Sequence, residues 1–536
     1  MRRRRWMLLV LPVAAGVVIA SAATHLVAEQ RFSVPELSED YVPPDVPSPA
    51  PRSRTMQYVD VAVLAAFLVV ASAAALRFRS RGGLVVLTLL ALGYFGFYRR
   101  GCVCPIGAIQ RVCPVFDVRA LVTPDAAAAE AHGLSAERIA EAWRARAGDF
   151  AAAETSGRGR DFVLSLWVGP DSKRTLGRIG RERIAPPGDA PPVPLGELVR
   201  TEMRPVLRFA HGVPWVIVAF FALPLVATLL FGRTFCAAVC PLGAIQEAVA
   251  LKPVQLPAWL GHGLGLFAYV YLAAAVLLAT TGGGFLICRQ DPFVGIFRLS
   301  GPVIMLLIGA GVLVLGVFLA RPYCRFLCPY GAILRPLSRL SWRHATITPD
   351  ACIRCRLCES ACPYGAIRAP NTGGRPAPRR RGKLTLAALL LVVPVLTAAG
   401  AWGGAWLAGR VARMHPTVAR AEAVHRELAA HGAVRGDSDV TEAFAGSDVP
   451  VDMLLAHGRA VRRSFAWATP VASGFIALVV ALKLVSLAVR RRREDYAPDR
   501  ALCLSCGRCY ASCPVDHARR LERKGARPPA ELHATD

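Results

Sequence analysis

The chain has 536 residues, 54% of them hydrophobic, and 64 Lys and Arg against 37 Asp and Glu give a formal net charge of +27. Its apolar residues lie in long runs with few charges inside them, which excludes an ordinary soluble domain. The arginines border those runs, at 2–5, 77–81, 379–383 and 490–493, as the positive-inside rule requires, so the charge reflects a membrane and no nucleic-acid partner is expected.

Crossing a bilayer takes about 20 apolar residues. Segments 6–28, 58–76, 82–98, 213–231, 262–281, 302–320, 384–409 and 465–489 meet or approach that length. They predict an all-α polytopic protein of about eight transmembrane helices in a bacterial inner (cytoplasmic) membrane, with lipid as its surroundings. With the N-terminus inside and every segment crossing, all the arginine clusters fall on the cytoplasmic side.

In chain order, residues 1–28 read as a signal-anchor or cleavable signal: Arg2 to Arg5, an apolar stretch, then small residues at 20–22. A Pro-rich external loop follows at 29–57, then a transmembrane hairpin at 58–98. Residues 99–212 form a hydrophilic insert, expected outside, with a helical pattern at 135–147, a strand at 162–168 and a Pro-rich linker at 186–194. The insert opens on Cys102-Val103-Cys104-Pro105, with Cys113 further on; a disulfide, a metal site and an inactive relic all remain open for these thiols. Residues 213–344 are a membrane core carrying two Cys-x3-Cys-Pro pairs, Cys236/Cys240 and Cys324/Cys328, with Cys288 alone between them. A cysteine-rich segment at 345–383 leads into the helix at 384–409. A second external segment, 410–464, holds His415, His425, His431 and His457. The helix at 465–489 then leads to a C-terminal cysteine-rich segment, 490–536.

Spacing assigns most of the 16 cysteines. Cys352, Cys355, Cys358 and Cys362 form one Cys-x2-Cys-x2-Cys-x3-Cys-Pro run, and Cys503, Cys506, Cys509 and Cys513 form another. Three thiols at this spacing wrap one corner of a [4Fe–4S] cube, and in two-cluster ferredoxins the fourth cysteine serves the other cube. Two clusters are therefore expected, one on Cys352, Cys355, Cys358 and Cys513, the other on Cys503, Cys506, Cys509 and Cys362. The two ferredoxin-type segments would pack together on the cytoplasmic side, where disulfides are disfavoured; zinc sites use paired Cys-x2-Cys units instead. The string Cys-Pro-x-Gly-Ala-Ile recurs at 104–109, 240–245, 328–333 and 362–367, which marks a duplicated unit at the membrane edge. If the preceding span's helix continues through each Cys-x3-Cys-Pro pair, its thiols share one helix face. Cys236, Cys240, Cys324 and Cys328 could then hold a third cluster, bind a soft metal such as Cu(I), cycle as dithiols, or simply pack. Arg233, Arg325 and Arg335 nearby would favour thiolates. No Cys-x-x-Cys-His run marks c-type haem, His25 and His262 are the main histidines near apolar runs, and neither a Walker A motif nor a dinucleotide fingerprint occurs.

The stretches Phe235-Cys236-Ala237-Ala238-Val239-Cys240-Pro241-Leu242-Gly243, Asp291-Pro292, Tyr323-Cys324-Arg325-Phe326-Leu327-Cys328-Pro329-Tyr330-Gly331 and 352–362 resemble the NosR/NapH-type membrane polyferredoxins. The resemblance covers roughly residues 205–370, and the final run more loosely. It implies a membrane-bound electron-transfer protein, quinol dehydrogenase-like, passing electrons from quinol or a cytoplasmic donor toward an extracytoplasmic reductase of nitrous-oxide or nitrate type. It also implies an alternative, since some members serve maturation or copper loading of a respiratory metalloenzyme. The flavin attachment motif of NosR-type members has no match, the nearest string being Thr155-Ser156-Gly157-Arg158, so covalent FMN is not expected.

Overall fold

The computed structural model describes residues 52–101, 105–149, 153–167, 170–187, 191–208, 214–251, 253–300, 302–347, 352–371, 379–445, 450–488 and 493–523. The expected first segment at 6–28, most of the 29–57 loop, His25, Cys102 and Cys104 lie outside the described residues. Ser53 caps α1 (Arg54–Ser72) by accepting from Met56 N, and a π-helical turn extends the helix to Arg77. Ser80 caps α2 (Arg81–Ala91) in the same way, and a second π turn carries it to Tyr98. Asp60, fully buried, closes this hairpin by pairing with Arg99 at 2.9 Å and accepting from Tyr94 Oη at 2.8 Å. A carboxylate this deep in apolar surroundings persists only when paired and hydrogen-bonded.

After α3 (Pro105–Val112), the insert builds β1 (Val115–Pro124), α4 (Ala136–Ala145), β2 (Glu154–Ser156), β3 (Val163–Trp167) and β4 (Val199–Arg208). The strands make one antiparallel sheet in the order β2-β3-β1-β4, with β1 opposing β4 from Val115↔Arg208 to Pro124↔Val199. Alternate residues Val118, Ala120 and Val122 turn inward and pack with Leu164, Leu166, Ile139 and Trp143. The expected helix at 135–147 and strand at 162–168 correspond to α4 and β3; β1 and β4 join them as strands of 10 residues each.

The rest of the helical part includes α5 (Trp215–Phe231), α6 (Pro241–Ala248), α7 (Phe267–Thr280), α8 (Val303–Phe318), α9 (Pro329–Arg339), α10 (Arg379–Ala412), α11 (Pro416–His431) and α12 (Val451–Ala488). Among the described residues, 5 helical stretches are long and apolar enough to cross a membrane: Arg54–Arg77, Arg81–Tyr98, Ala258–Thr280, Gly382–Ala412 and Val451–Ala488. A sixth is reached if Pro292–Arg298 and Val303–Phe318, bent by 103°, count as one. Of the about eight expected spans, five or six are met at full length, Trp215–Phe231 is a shorter apolar helix, and the segment 6–28 lies outside the described residues. The 213–231 segment forms a helix of 17 residues and the 302–320 segment one of 16. Both stop where the chain turns into a Cys-x3-Cys-Pro motif, through Gly232 at φ 73° and Arg321 at φ 52°.

Helix α10 has 34 residues, or about 51 Å of length. Its end at Ala412 joins the insert's core, as do Met453, Val461 and Phe465 of α12. The other ends of both helices lead to the ferredoxin-type segments, so insert and cysteine runs sit at opposite ends of the molecule. Because α12 begins at Val451, its first turns belong to the expected 410–464 segment and pack under the sheet. Exposed Trp402, Trp406 and Trp467 lie toward the insert's end, the placement of an interfacial aromatic belt.

Helices α10 and α12 touch through small residues. A Cβ at Gly404 would fall 1.8 Å from Ser473 Oγ, and one at Gly400 would fall 2.4 Å from Ala477 Cβ. Such close backbone approach is how helices associate in lipid, where the hydrophobic effect gives no drive. Gly404→Leu is expected to separate the pair at a cost of about 1–3 kcal/mol, seen as a lower melting midpoint of the purified chain. Gly403→Leu, where nothing lies within 4 Å of the new Cβ, should leave it unchanged.

Candidate iron–sulfur sites

Each ferredoxin-type run must curl tightly enough for three thiols to face one space. Two left-handed residues do this in both runs, at matching places: Arg354 (φ 54°) and Arg356 (φ 65°), then Ser505 (φ 57°) and Gly507 (φ 79°). Non-glycine residues adopt this conformation at a cost of about 1–2 kcal/mol, so the surrounding fold must hold it. A short helix then carries the third thiol, in Leu357–Ala361 and Arg508–Ala511.

Strands β5 (Ile367–Arg368) and β6 (Ala497–Pro498) pair antiparallel and bring the two runs together. The crossing of the fourth cysteines follows from this pairing. Cys352, Cys355 and Cys358 line one cavity with Cys513 of the other run. Cys509 lies within electrostatic reach of Cys503, Cys506 and Cys362, again mixing the runs. Burial pushes the Cys358 thiol up to about 11 and the Cys503 thiol up to about 12. It raises Cys506 and Cys509 too, and neighbouring thiols add to the rise. Protonated thiols packed this densely are a store of protons that metal loading releases. Four thiols lining one cavity, and a second four within electrostatic reach of one another, fit [4Fe–4S] cubes, in which each iron takes one thiolate.

The remaining pairs meet inside the membrane core. Cys236, Cys240, Cys324 and Cys328 line a third cavity together with Ile106, which belongs to the first copy of the repeated string. The helix of the preceding span does not continue through the motif. Short helices Thr234–Ala238 and Pro322–Phe326 carry the first thiol, and α6 and α9 begin afresh at the second. Cys240 and Cys328 are therefore N-caps, each followed by proline at the first helical position. Gly331 N donates to Cys328 Sγ at 3.3 Å, Gln246 Nε2 donates to Cys324 Sγ at 3.3 Å, and Arg233 Nη2 reaches Cys236 Sγ at 3.8 Å. A helix N-terminus, an amide and a guanidinium thus aim donors at three of the four sulfurs, donors that partly offset the cost of burying a thiolate. Among the described residues, no three His, Cys, Asp or Glu side chains converge closely enough for a single metal ion.

One carboxylate ties the three sites together. Glu247, on α6, pairs with Arg321 at 3.1 Å, Arg508 at 2.7 Å and Arg81 at 3.5 Å, and accepts from Tyr364 Oη at 2.9 Å. Arg321 is 1% exposed and also donates to the backbone carbonyls of Cys236 and Ala237. Burial alone would raise the Glu247 carboxyl, but Arg321 and Arg508 hold it down at about 2. Cys236 packs against both the membrane core and the ferredoxin core. Arg79 pairs with Asp516 at 2.8 Å and Arg81 donates to Cys506 O at 3.2 Å, so two arginines of the 77–81 cluster brace the second run. Neither Glu247 nor Arg321 stood among the expected site residues. The available signal was a single acid beside Cys-Pro-Leu-Gly-Ala-Ile amid flanking arginines.

The other singled-out residues are placed as follows. Cys113 packs against the membrane core. Cys288 Sγ sits so close to Gly107 that a Cβ there would lie 3.1 Å away. His415 caps α11, its Nδ1 accepting from Thr417 N at 3.2 Å, and His431 faces Asp437 at 3.3 Å.

The two Cys-x3-Cys-Pro pairs and the first ferredoxin-type run fall within matched families, and the run at 503–513 lies outside them. A family described as a 4Fe–4S binding domain matches residues 213–266 and 301–347, and a second of the same description matches 345–368. An uncharacterized protein of Methanocaldococcus jannaschii is 30% identical over 157 residues, 27% of this chain and 63% of its own length. Protein NirI of Paracoccus denitrificans is 30% identical over 149 residues, 25% of this chain and 21% of its own. Protein YccM of Escherichia coli, named for electron transport, is 26% identical over 151 residues, 25% of this chain and 42% of its own. The chain thus spans less than two thirds of these relatives' length. No solved structure matches it. The domains and relatives fit a family of membrane-bound polyferredoxins.

Proposed function

We propose that this chain is a membrane-bound electron carrier with three [4Fe–4S] sites, taking electrons at its ferredoxin-type end and passing them toward an extracytoplasmic reductase. The crossed runs would hold two cubes, on Cys352, Cys355, Cys358 and Cys513 and on Cys503, Cys506, Cys509 and Cys362. Cys236, Cys240, Cys324 and Cys328 would hold the third. The observation that carries this reading is the position of Cys236, which lines the third cavity and packs against the ferredoxin core as well. A bound cube supplies a one-electron carrier. The protein's own part would be to keep the three cysteine sites fixed and adjacent, through Glu247 and its arginines. Four thiols lining one cavity match the four thiolates that a cube takes, which favours electron transfer over copper loading.

The basic residues beside the ferredoxin-type segments support a cytoplasmic position for that end. The insert and the turns around α11 would then face outward and offer the docking surface for the reductase. Quinol or a cytoplasmic protein would be the donor. An outward electron moves down the membrane potential, a gain of about 2.3 kcal/mol per 100 mV.

Sealed proteoliposomes with the full, cluster-loaded chain, an impermeant reductant inside and ferricyanide outside, test the reading. Ferricyanide should be reduced well above the rate of empty vesicles, and Cys324→Ala should remove the excess. A rate equal to that of empty vesicles would show that the chain conducts nothing across the bilayer.

A further inference from the structure

Between the span Ala258–Thr280, α9 and α12 lies a cavity of about 680 Å³, floored by Asp499, Ala501 and Leu502 of the second ferredoxin-type segment. Its upper wall is an apolar stripe of α12, Phe475, Leu478, Val479 and Leu482, at the spacing of one helix face. Leu266 and Leu272 stand opposite. The lower end is cationic, lined by Arg335, Arg339, Arg368, Lys483 and Arg493. Its one carboxylate, Asp499, already pairs with Arg368 at 3.1 Å.

Arg335 is the telling residue. Its Nη1 donates to Gly265 O at 3.2 Å and its Nη2 to Arg325 O, while Nε is sealed from solvent with no hydrogen-bond partner. Among the described residues no carboxylate pairs with Arg335, Arg339 or Lys483. A guanidinium nitrogen sealed inside the protein, as Arg335 Nε is, is costly without a partner, and a neutral quinone ring would supply no counter-charge to this cluster. Free phosphate would match the charges but leave the apolar stripe bare.

We infer that this cavity is a binding site for an anionic phospholipid, the headgroup phosphate among Arg335, Arg339 and Lys483 and an acyl chain along the α12 stripe. Basic recesses between transmembrane helices on the cytoplasmic side are where acidic headgroups bind. The lipid would seal the membrane edge beside the second ferredoxin-type run, a role independent of whether electrons cross the bilayer.

The test is native mass spectrometry of the full, cluster-loaded chain, delipidated and titrated with phosphatidylglycerol or with phosphatidylcholine of the same chains. Phosphatidylglycerol should bind and phosphatidylcholine should not. Arg339→Gln and Lys483→Gln should each weaken binding about fivefold, Lys483→Arg should restore it, and the cluster EPR of all variants should match the parent's. Equal binding of the two lipids, or affinity unmoved by charge removal, would overturn the assignment. So would displacement of phosphatidylglycerol by a short-chain quinone with the same affinity in parent and variants.

Discussion

Replacing Cys513 with alanine should strip the cluster of the first ferredoxin-type run, not that of its own. Cys513 lines the cavity of Cys352, Cys355 and Cys358, while Cys362 lies with Cys503, Cys506 and Cys509. Variants should therefore fall into two spectroscopic pairs. Cys513→Ala and Cys355→Ala should abolish one EPR signal, Cys362→Ala and Cys506→Ala the other. Each would lower iron by about four atoms per chain, the content of one cube. Pairing by sequence instead, with Cys513→Ala matching Cys506→Ala, would mean that the runs do not exchange ligands. The crossing depends on β5 and β6, which join the runs at Ile367↔Pro498 and Arg368↔Ala497.

Glu247→Gln should be the most damaging change outside the cysteines. It leaves Arg321, which is almost wholly buried, without its charge partner and loosens Arg508 and Arg81 together. Removing one member of a buried ion pair typically costs about 3–5 kcal/mol, and here the loss falls between the membrane core and both ferredoxin-type runs. The expected result is a chain that melts well below the parent and loses iron on storage. Arg508→Gln combined with Glu247→Gln should cost less than the sum of the single changes, because the two groups share one interaction. The pH dependence has a definite sign. The folded carboxyl sits at about 2 against an ordinary 4.5, so its contribution is complete above the ordinary value and fades as pH falls toward 2. Melting of the parent relative to Glu247→Gln should show a constant gap from neutral pH to about 5, then a narrowing one. A gap that closed already at neutral pH would contradict a buried, ionised Glu247.

Much of the site is legible in the sequence because cluster ligation is local. Three thiols within seven residues, at 352–358 and 503–509, announce a cube without reference to the rest of the fold. Glu247 was not legible for the opposite reason: Arg81, Arg321, Tyr364 and Arg508 come to it from four distant segments, and only tertiary structure brings them there. The broken helices at the Cys-x3-Cys-Pro pairs had local signs, the turn residues before them and the prolines Pro241 and Pro329 that open the helices after them. Gly232 takes the left-handed region readily, whereas Arg321 does so only under tertiary constraint, and in the second motif the local sign is Pro322, which opens the new short helix. In the insert, alternation of Val118, Ala120 and Val122 is a readable strand signal, whereas β4 buries chiefly Met203 and is defined by its partner. The start of α12 at Val451 was hidden for a similar reason. Its first turns are too polar for a membrane window and are held by packing under the sheet.

The central claim is that three cysteine cages share one chain, and metal counting tests it most directly. Anaerobically purified, full-length protein should contain about twelve iron and about twelve acid-labile sulfide atoms, four of each per cube, falling by a third in Cys324→Ala. About eight iron atoms in the parent, unchanged by that substitution, would restrict cubes to the two ferredoxin-type runs. Stoichiometric zinc with no iron would contradict the account altogether.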